Sequence, residues 1–310
     1  MIDLEPSNQS KLFGLDSHLL ELIRLYKSNK YPNKLLLSGP KGIGKSTLAY
    51  HLINYVLSEE EDHKYDIKNF EINTESITFK TILNKSNMNL ITIDVNPDKK
   101  SIDITQIREL IINLNKSSFN DKPRFVLIDN IELLNVNSIN ALLKILEEPN
   151  RNIFFILINN NKKILPTLIS RCINYKINLS NKECLEVSNQ LLGEELYESI
   201  NSDLINYYFT PGNIYYLIKF ANQHNYNLLD LDLKKFLKII INENHYKKDP
   251  FMKYMIFQFI EFYFRKLNFS FSKKVNDRYS YFLKRISDTK NFNLDEESLF
   301  IEFEEEILNG

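Results

Sequence analysis

The chain has little cysteine: two residues, Cys172 and Cys184, in 310. Their spacing fits no zinc pattern, and a reduced cytosolic pair is expected rather than a disulfide. Net charge is nearly absent as well. Lys and Arg number 39 against 40 Asp and Glu, a balance of −1. No global field therefore draws the chain onto nucleic acid or anionic lipid, and DNA contacts are expected to be few, local and mostly to phosphate. Long apolar runs are missing too. The most apolar stretch, residues 254–264, is broken by Gln258 and Glu261, and it falls short of the about 20 residues that span a bilayer. The opening MIDLEPSNQS has neither the basic start nor the apolar core of a signal peptide. A cytoplasmic protein with no membrane segment is expected. The length admits two or three domains with a sizeable core.

Short apolar runs alternate with helical patterns over residues 1–179. LLL at 35–37, LITIDV at 90–95, FVLID at 125–129 and IFFILI at 153–158 read as strands. Helical spacing covers 46–57, 103–115 and 137–148, the last stopped by Pro149. Strands apolar on both faces and separated by helices predict a parallel sheet covered on both sides. Beyond 179 the strand signals stop. Segments 181–192, 213–223, 231–242, 249–267, 273–286 and 296–308 read as helices, with PGN at 211–213 and KDP at 248–250 as breaks. The expected fold class is α/β plus all-α: an α/β domain over 1–179, a small helical domain over 180–240 and a third helical domain over 241–310.

GPKGIGKST, residues 39–47, satisfies G-x-x-x-x-G-K-[ST] at each fixed position. Gly39, Gly42 and Gly44 let the backbone curl so that its N–H groups point at phosphate oxygens. Lys45 would neutralise the β- and γ-phosphates, Ser46 would ligate Mg2+, Thr47 completes the motif, and the helix that starts here adds its positive end. Asp129 ends an apolar strand, where a doubly wound sheet presents ligand groups, and can hold Mg2+ through water. The next residue is Asn130, whose amide accepts no proton at neutral pH and is a poor base for an attacking water. Weak turnover or none is expected. The plainer readings are a glycine turn without a ligand and a capping role for Asp129.

Further stretches line up with these. They are LFGLDSHLLELI at 12–23, NALLKILEEP at 140–149, NNN at 159–161 and ISRC at 169–172. With them, residues 10–180 resemble the bacterial clamp-loader branch of the AAA+ ATPases, nearest to the δ′-type family of DNA polymerase III subunits. The remainder resembles it in architecture only. The resemblance implies an AAA+ P-loop domain, a helical lid and a C-terminal helical collar. It implies that Arg171 is an arginine finger reaching a neighbouring subunit's ATP site, a role suited to a rigid, always-charged donor fork. The γ-phosphate sensor falls on Asn159 or Asn160, with Asn159 taken first into the nucleotide-binding set. Implied partners are a gamma/tau motor subunit and a delta subunit, with the sliding clamp and primed DNA reached through the assembly.

The departures point the same way. Motor subunits carry Glu where Asn130 stands, and a second sensor Arg where Tyr215 stands. Many relatives hold a four-cysteine zinc module, whereas residues 48–128 contain no cysteine, so no zinc site is expected. The missing Glu and sensor Arg together imply a non-motor subunit with ATP and Mg2+ bound weakly or statically. The alternative is an autonomous AAA+ ATPase such as the motor subunit, which the intact loop supports. Plain structural roles remain beside these: Arg171 in a surface salt bridge, and a packed helix with Ile139, Leu142, Leu143 and Leu146 inward and Lys144, Glu147 and Glu148 wet. The aromatic run FMKYMIFQFIEFYF at 251–264 fits either an oligomeric contact or the central helix of a bundle. The acidic tail at 295–307 is expected to turn Leu299, Phe300, Phe303 and Ile307 inward.

Overall fold

Side chains alternate across a strand, so three consecutive leucines at 35–37 need cover on both faces. The computed structural model describes residues 4–96, 99–116, 120–147, 152–193, 195–206, 209–267, 273–292 and 294–309. It builds that cover from α1 (Asp16–Lys27), β1 (Lys34–Ser38), α2 (Lys45–Leu57), α3 (Ile77–Leu83), β2 (Leu90–Ile93), α4 (Ile104–Leu114), β3 (Arg124–Ile128), α5 (Val136–Glu147), β4 (Ile153–Asn159), α6 (Pro166–Ile169), β5 (Ile173–Lys176) and α7 (Asn181–Leu192). Glu148 and Pro149, expected to end α5, lie outside the described residues.

The strands form one sheet in the order β2-β3-β4-β1-β5, and every pairing is parallel. Leu35 and Leu37 join a core with Phe125, Leu127, Ile156 and Ile158, covered by α1, α2 and α3. Leu36 joins Val126, Ile128, Phe155 and Leu157 on the other face, under α4 and α5. Both faces are therefore dry, as near-continuous apolar strands require. The fifth strand, INYK, escapes sequence reading because it is polar, short and on the sheet edge, with three of its four residues exposed.

The chain divides into two compact units: residues 1–193 with 210–213, and residues 194–209 with 214–310. The sequence boundaries at 179 and 240 do not coincide with this division, since α7 belongs with the sheet and the remaining helices group together. These are α8 (Leu196–Ser199), α9 (Pro211–Gln223) from residue 214 onward, α10 (Leu233–Asn242), α11 (His245–Lys248), α12 (Pro250–Leu267), α13 (Lys273–Phe292) and α14 (Glu296–Phe303). PGN is the first turn of α9 instead of a break before it, a place where proline costs no hydrogen bond.

Within the second unit α12 is the central helix. Phe259 meets Phe236 of α10, and Phe264 meets Phe282 of α13 and Phe303 of α14. The apolar circumference of α12 is thus largely covered within this unit. At the chain's end, Leu299, Phe300 and Phe303 are buried as expected, but Leu308 is buried while Ile307 is only half so. Residues 304–308 form a π-helical turn, and its wider i→i+5 spacing carries the inward face from 303 to 308.

Phe155, fully buried in a central strand, gives a direct test of the core. Phe155→Ala should cost about 3–5 kcal/mol in urea unfolding followed by hydrogen exchange at β4. A loss below about 1 kcal/mol would be incompatible with the packing described.

Candidate functional site

In a parallel sheet all the strands end at one edge, and the loops that follow share it. Gly39 leaves β1 here and donates its N–H to the Asn159 carbonyl at 3.3 Å. The loop turns through left-handed glycines, Gly42 at φ +84° and Gly44 at φ +97°, which other residues adopt only with strain. A Cβ on Gly39 would lie 2.5 Å from the Ile177 carbonyl, and one on Gly44 2.9 Å from Leu15. Lys45 opens α2 and is buried. Its ammonium donates to the carbonyls of Gly39 at 3.0 Å and Pro40 at 2.7 Å. Burial pushes this amine down to about 8, against the pull of Asp129 and Glu132.

Ser46 donates its hydroxyl to Asp129 Oδ2, which joins the two residues expected at Mg2+. Asp129 also accepts the Asn130 N–H at 2.7 Å. Burial raises its carboxyl above the usual range; the Ser46 bond opposes this and Asp94 adds to it. The donor set fits a magnesium nucleotide: an ammonium for phosphate, a hydroxyl and carboxylate for the metal, and a glycine loop entering a helix N-terminus. Asp16 Oδ1, one residue from Leu15, is a buried acceptor without a partner among the described residues.

Asn130 has φ +52°, a conformation asparagine tolerates better than most residues. Its amide donates to Asp94 Oδ1 at 2.8 Å, and its oxygen accepts from Asn160 Nδ2 at 2.8 Å. Asn160 also donates to Glu132 Oε1 at 2.9 Å. Of the two residues on which a sensor is expected, Asn159 uses its amide within its own turn, donating to the Lys162 carbonyl at 3.0 Å. Asn160 is the one that reaches the segment after β3, at Asn130 and Glu132. Thr47, on the first turn of α2, is half-buried.

Sequence reasoning missed three contributors. Asp94 closes LITID just as Asp129 closes FVLID, a parallel that was readable. Glu132 follows Asp129 by three residues in a one-turn 3₁₀ helix. The segment 210–213 gave no signal beyond a turn, yet Gly212 N–H donates to the Gly42 carbonyl at 3.0 Å. Thr210 Oγ1 also lies 2.8 Å from the Lys41 carbonyl.

Arg171 is elsewhere. It follows α6 and precedes β5, and β5 pairs with β1 in the register Leu35↔Ile173 to Ser38↔Lys176. The arginine therefore belongs to the edge where strands begin, and the phosphate loop to the edge where they end. Its guanidinium donates to Glu147 Oε1 at 2.6 Å and to the Thr167 carbonyl at 2.9 Å.

Parallel order, phosphate loop, strand-end aspartate and helical second unit together define an AAA+ α/β domain with a helical C-terminal part. A DNA polymerase III gamma-subunit-related protein of Thermotoga maritima has the same fold, at 18% identity and a TM-score of 0.51 over 90% of this chain and 96% of that one. Residues 15–181 match the family model for the DNA polymerase III delta subunit, and the chain belongs to that family. Among relatives, subunit gamma of Buchnera aphidicola subsp. Schizaphis graminum is 31% identical over 57% of this chain and 47% of its own length. Subunit delta′ of Buchnera aphidicola subsp. Acyrthosiphon pisum is 25% identical over 79% and 76%. The chain spans about half the length of the first relatives it matches. Among the described residues no helix is long and apolar enough to cross a membrane.

The buried ammonium gives a pH test. Folded Lys45 releases its proton near 8, the unfolded side chain near about 10.4. Between those values the unfolded chain binds more protons, so stability should rise with pH. Lysine-selective 13C NMR should show one resonance titrating near 8, absent in Lys45→Met. The same variant should lose the rise of the urea midpoint between pH 8 and about 10. A Lys45 midpoint above about 10 would contradict the buried geometry.

Proposed function

We propose that this chain is a non-motor, δ′-like subunit of a replicative clamp loader, supplying Arg171 to the ATP site of an adjacent motor subunit. The observation that carries this reading is the placement of Arg171 and the phosphate loop at opposite edges of one parallel sheet. The β1–β5 pairing begins at Leu35↔Ile173, and Arg171 lies in the turn that enters it. From Leu35 to Gly39 is four strand positions, roughly 13 Å at about 3.3 Å per residue. An arginine so placed serves a phosphate outside its own chain.

The site at the loop supports the same reading. ATP with Mg2+ would be held by the backbone of Gly39–Gly44 together with Lys45, Ser46, Thr47 and Asp129, and bound nucleotide supplies a charged ligand that fixes the loop. Asn130 occupies the position where a base would orient water, with its amide tied to Asp94 and Asn160. The chain's own site is a static one. The partners on this reading are a gamma/tau-type motor subunit and a delta subunit, and the work of the assembly is loading a sliding clamp on primed DNA.

A second reading, an autonomous AAA+ ATPase, is favoured by one observation. Glu132 brings a second carboxylate close enough to Lys45 to influence its charge, and it could stand in for the missing base. Purified chain separates the two. On the first reading it hydrolyses ATP far below one turnover per second, and Asn130→Glu does not raise it. That substitution forces a left-handed backbone and sets a carboxylate beside Asp94, so it should cost about 1–3 kcal/mol in urea unfolding. Turnover near one per second, lost in Lys45→Ala or Glu132→Gln, overturns the non-motor reading.

The direct test is DNA-stimulated ATPase of the reconstituted loader carrying Arg171→Ala in this chain. Hydrolysis at the adjoining site should fall on the order of 10³-fold, with the assembly intact by gel filtration. Unchanged hydrolysis at that site would remove Arg171 from catalysis.

A further inference from the structure

We infer that Glu147 is a positioning residue for Arg171, holding its guanidinium so that the remaining donors are presented to a phosphate on an adjacent chain. The inference rests on the finger reading above and assigns a role to a residue that sequence patterning leaves on the wet face of α5.

Two anchors from different elements fix the guanidinium. Nη2 donates to Glu147 Oε1 at 2.6 Å, from the last residue of α5, and Nη1 donates to the Thr167 carbonyl at 2.9 Å, from α6. An arginine carries five N–H donors in a planar fork. Among the described residues two are engaged, by Glu147 and Thr167, which leaves three for an incoming anion. Held at two points, the fork has lost most of its rotamer freedom before that anion arrives, so less ordering is left to be done at the moment of contact.

Glu147 has no better explanation in its own helix. It stands at the C-terminal end of α5, where the helix dipole disfavours an anion. The cation that suits that end is already supplied by Lys34, whose ammonium donates to the Leu146 carbonyl at 2.9 Å. Nor is the ion pair a stability device. The Glu147 side chain is 55% exposed and that of Arg171 31%, and pairs this open to water add little to folding. An interaction too weak to matter for the fold can still decide where a guanidinium points, because small misplacements of a catalytic group cost large factors in rate.

The pair also links two separated motifs. ALLKILEEP supplies Glu147, and ISRC supplies Arg171. Ile169 and Ile173, flanking the arginine, are 42% and 62% exposed, so the pair sits on an open, partly apolar surface.

The experiment is a double-mutant cycle on the reconstituted loader, with Glu147→Ala, Arg171→Ala and both together in this chain, and Glu147→Gln as the conservative variant. Glu147→Ala should lower the DNA-stimulated kcat about 5- to 10-fold with KM for ATP unchanged. Glu147→Gln, which keeps an acceptor, should recover much of the loss. In the Arg171→Ala background Glu147→Ala should change nothing further, the non-additivity expected of residues acting as one unit. An equal loss in both backgrounds, a rise in turnover, or a loss confined to KM or assembly overturns the inference. If Arg171→Ala itself is silent, the finger reading fails first and this inference with it, and that outcome is distinguishable from the others.

Discussion

The pairing of β1 with β4 sets the position of the other site residues. Ser38 aligns with Asn159, and one residue further the Gly39 N–H reaches the Asn159 carbonyl. That junction fixes the start of the phosphate loop relative to the strand that follows Asp129 by one crossover. Because the sheet is parallel, β2 and β3 end beside it and deliver Asp94 and Asp129 to the same edge. A slip of one residue would exchange Leu36 and Leu37 between the two cores and carry Ser46 out of reach of Asp129. The apolar pattern of β1 and the chemistry of the site are thus one constraint.

The charges at that edge follow from it. Asp94, Asp129 and Glu132 converge on a region whose buried cation is Lys45. The neutral amides of Asn130 and Asn160 lie between the carboxylates, and each donates to at least one of them. Asn130 therefore does more than lack a proton-accepting group. It ties β3 to β2 and β4 without adding a fourth negative charge, in a backbone conformation that suits asparagine. A site arranged in this way can hold a cation and a phosphate, and its network would have to be rebuilt to host a strong base at the same position.

What the sequence made legible follows from how local each signal is. The strands with apolar faces, the phosphate loop and Asp129 could be read because each depends on a short run of residues whose chemistry is explicit. β5 could not be, since INYK is polar on an exposed edge and becomes a strand only because β1 offers a pairing partner. The contact of Gly212 with Gly42 was equally hidden, because nearly the whole α/β domain separates them and no residue type announces it. Glu147 shows the same limit from another side. By helical spacing it belongs to the wet face, and it does lie there, but its partner comes from a motif that only the fold brings near. The buried stripe of the tail was legible up to Phe303, where a π-helical turn changes the period on which the reading relied.

An intact phosphate loop beside a missing base looks contradictory only if nucleotide has no role short of hydrolysis. In this site Lys45 holds its proton weakly and Asp129 holds one more readily than a free carboxylate would, both because burial penalises charge. On the proposed reading, Asp129 would meet a metal and Lys45 phosphate oxygens if a magnesium nucleotide were bound, and both penalties would be offset at once. A ligand that binds only the folded state stabilises it by RT ln(1 + [L]/Kd), whether or not a bond in that ligand is ever cut. That effect alone requires Gly39–Thr47 and Asp129 and makes no demand for a base at position 130. On the proposed reading, the loop's nucleotide steadies the domain from the edge where its strands end. The catalytic contribution leaves from the opposite edge, through Arg171.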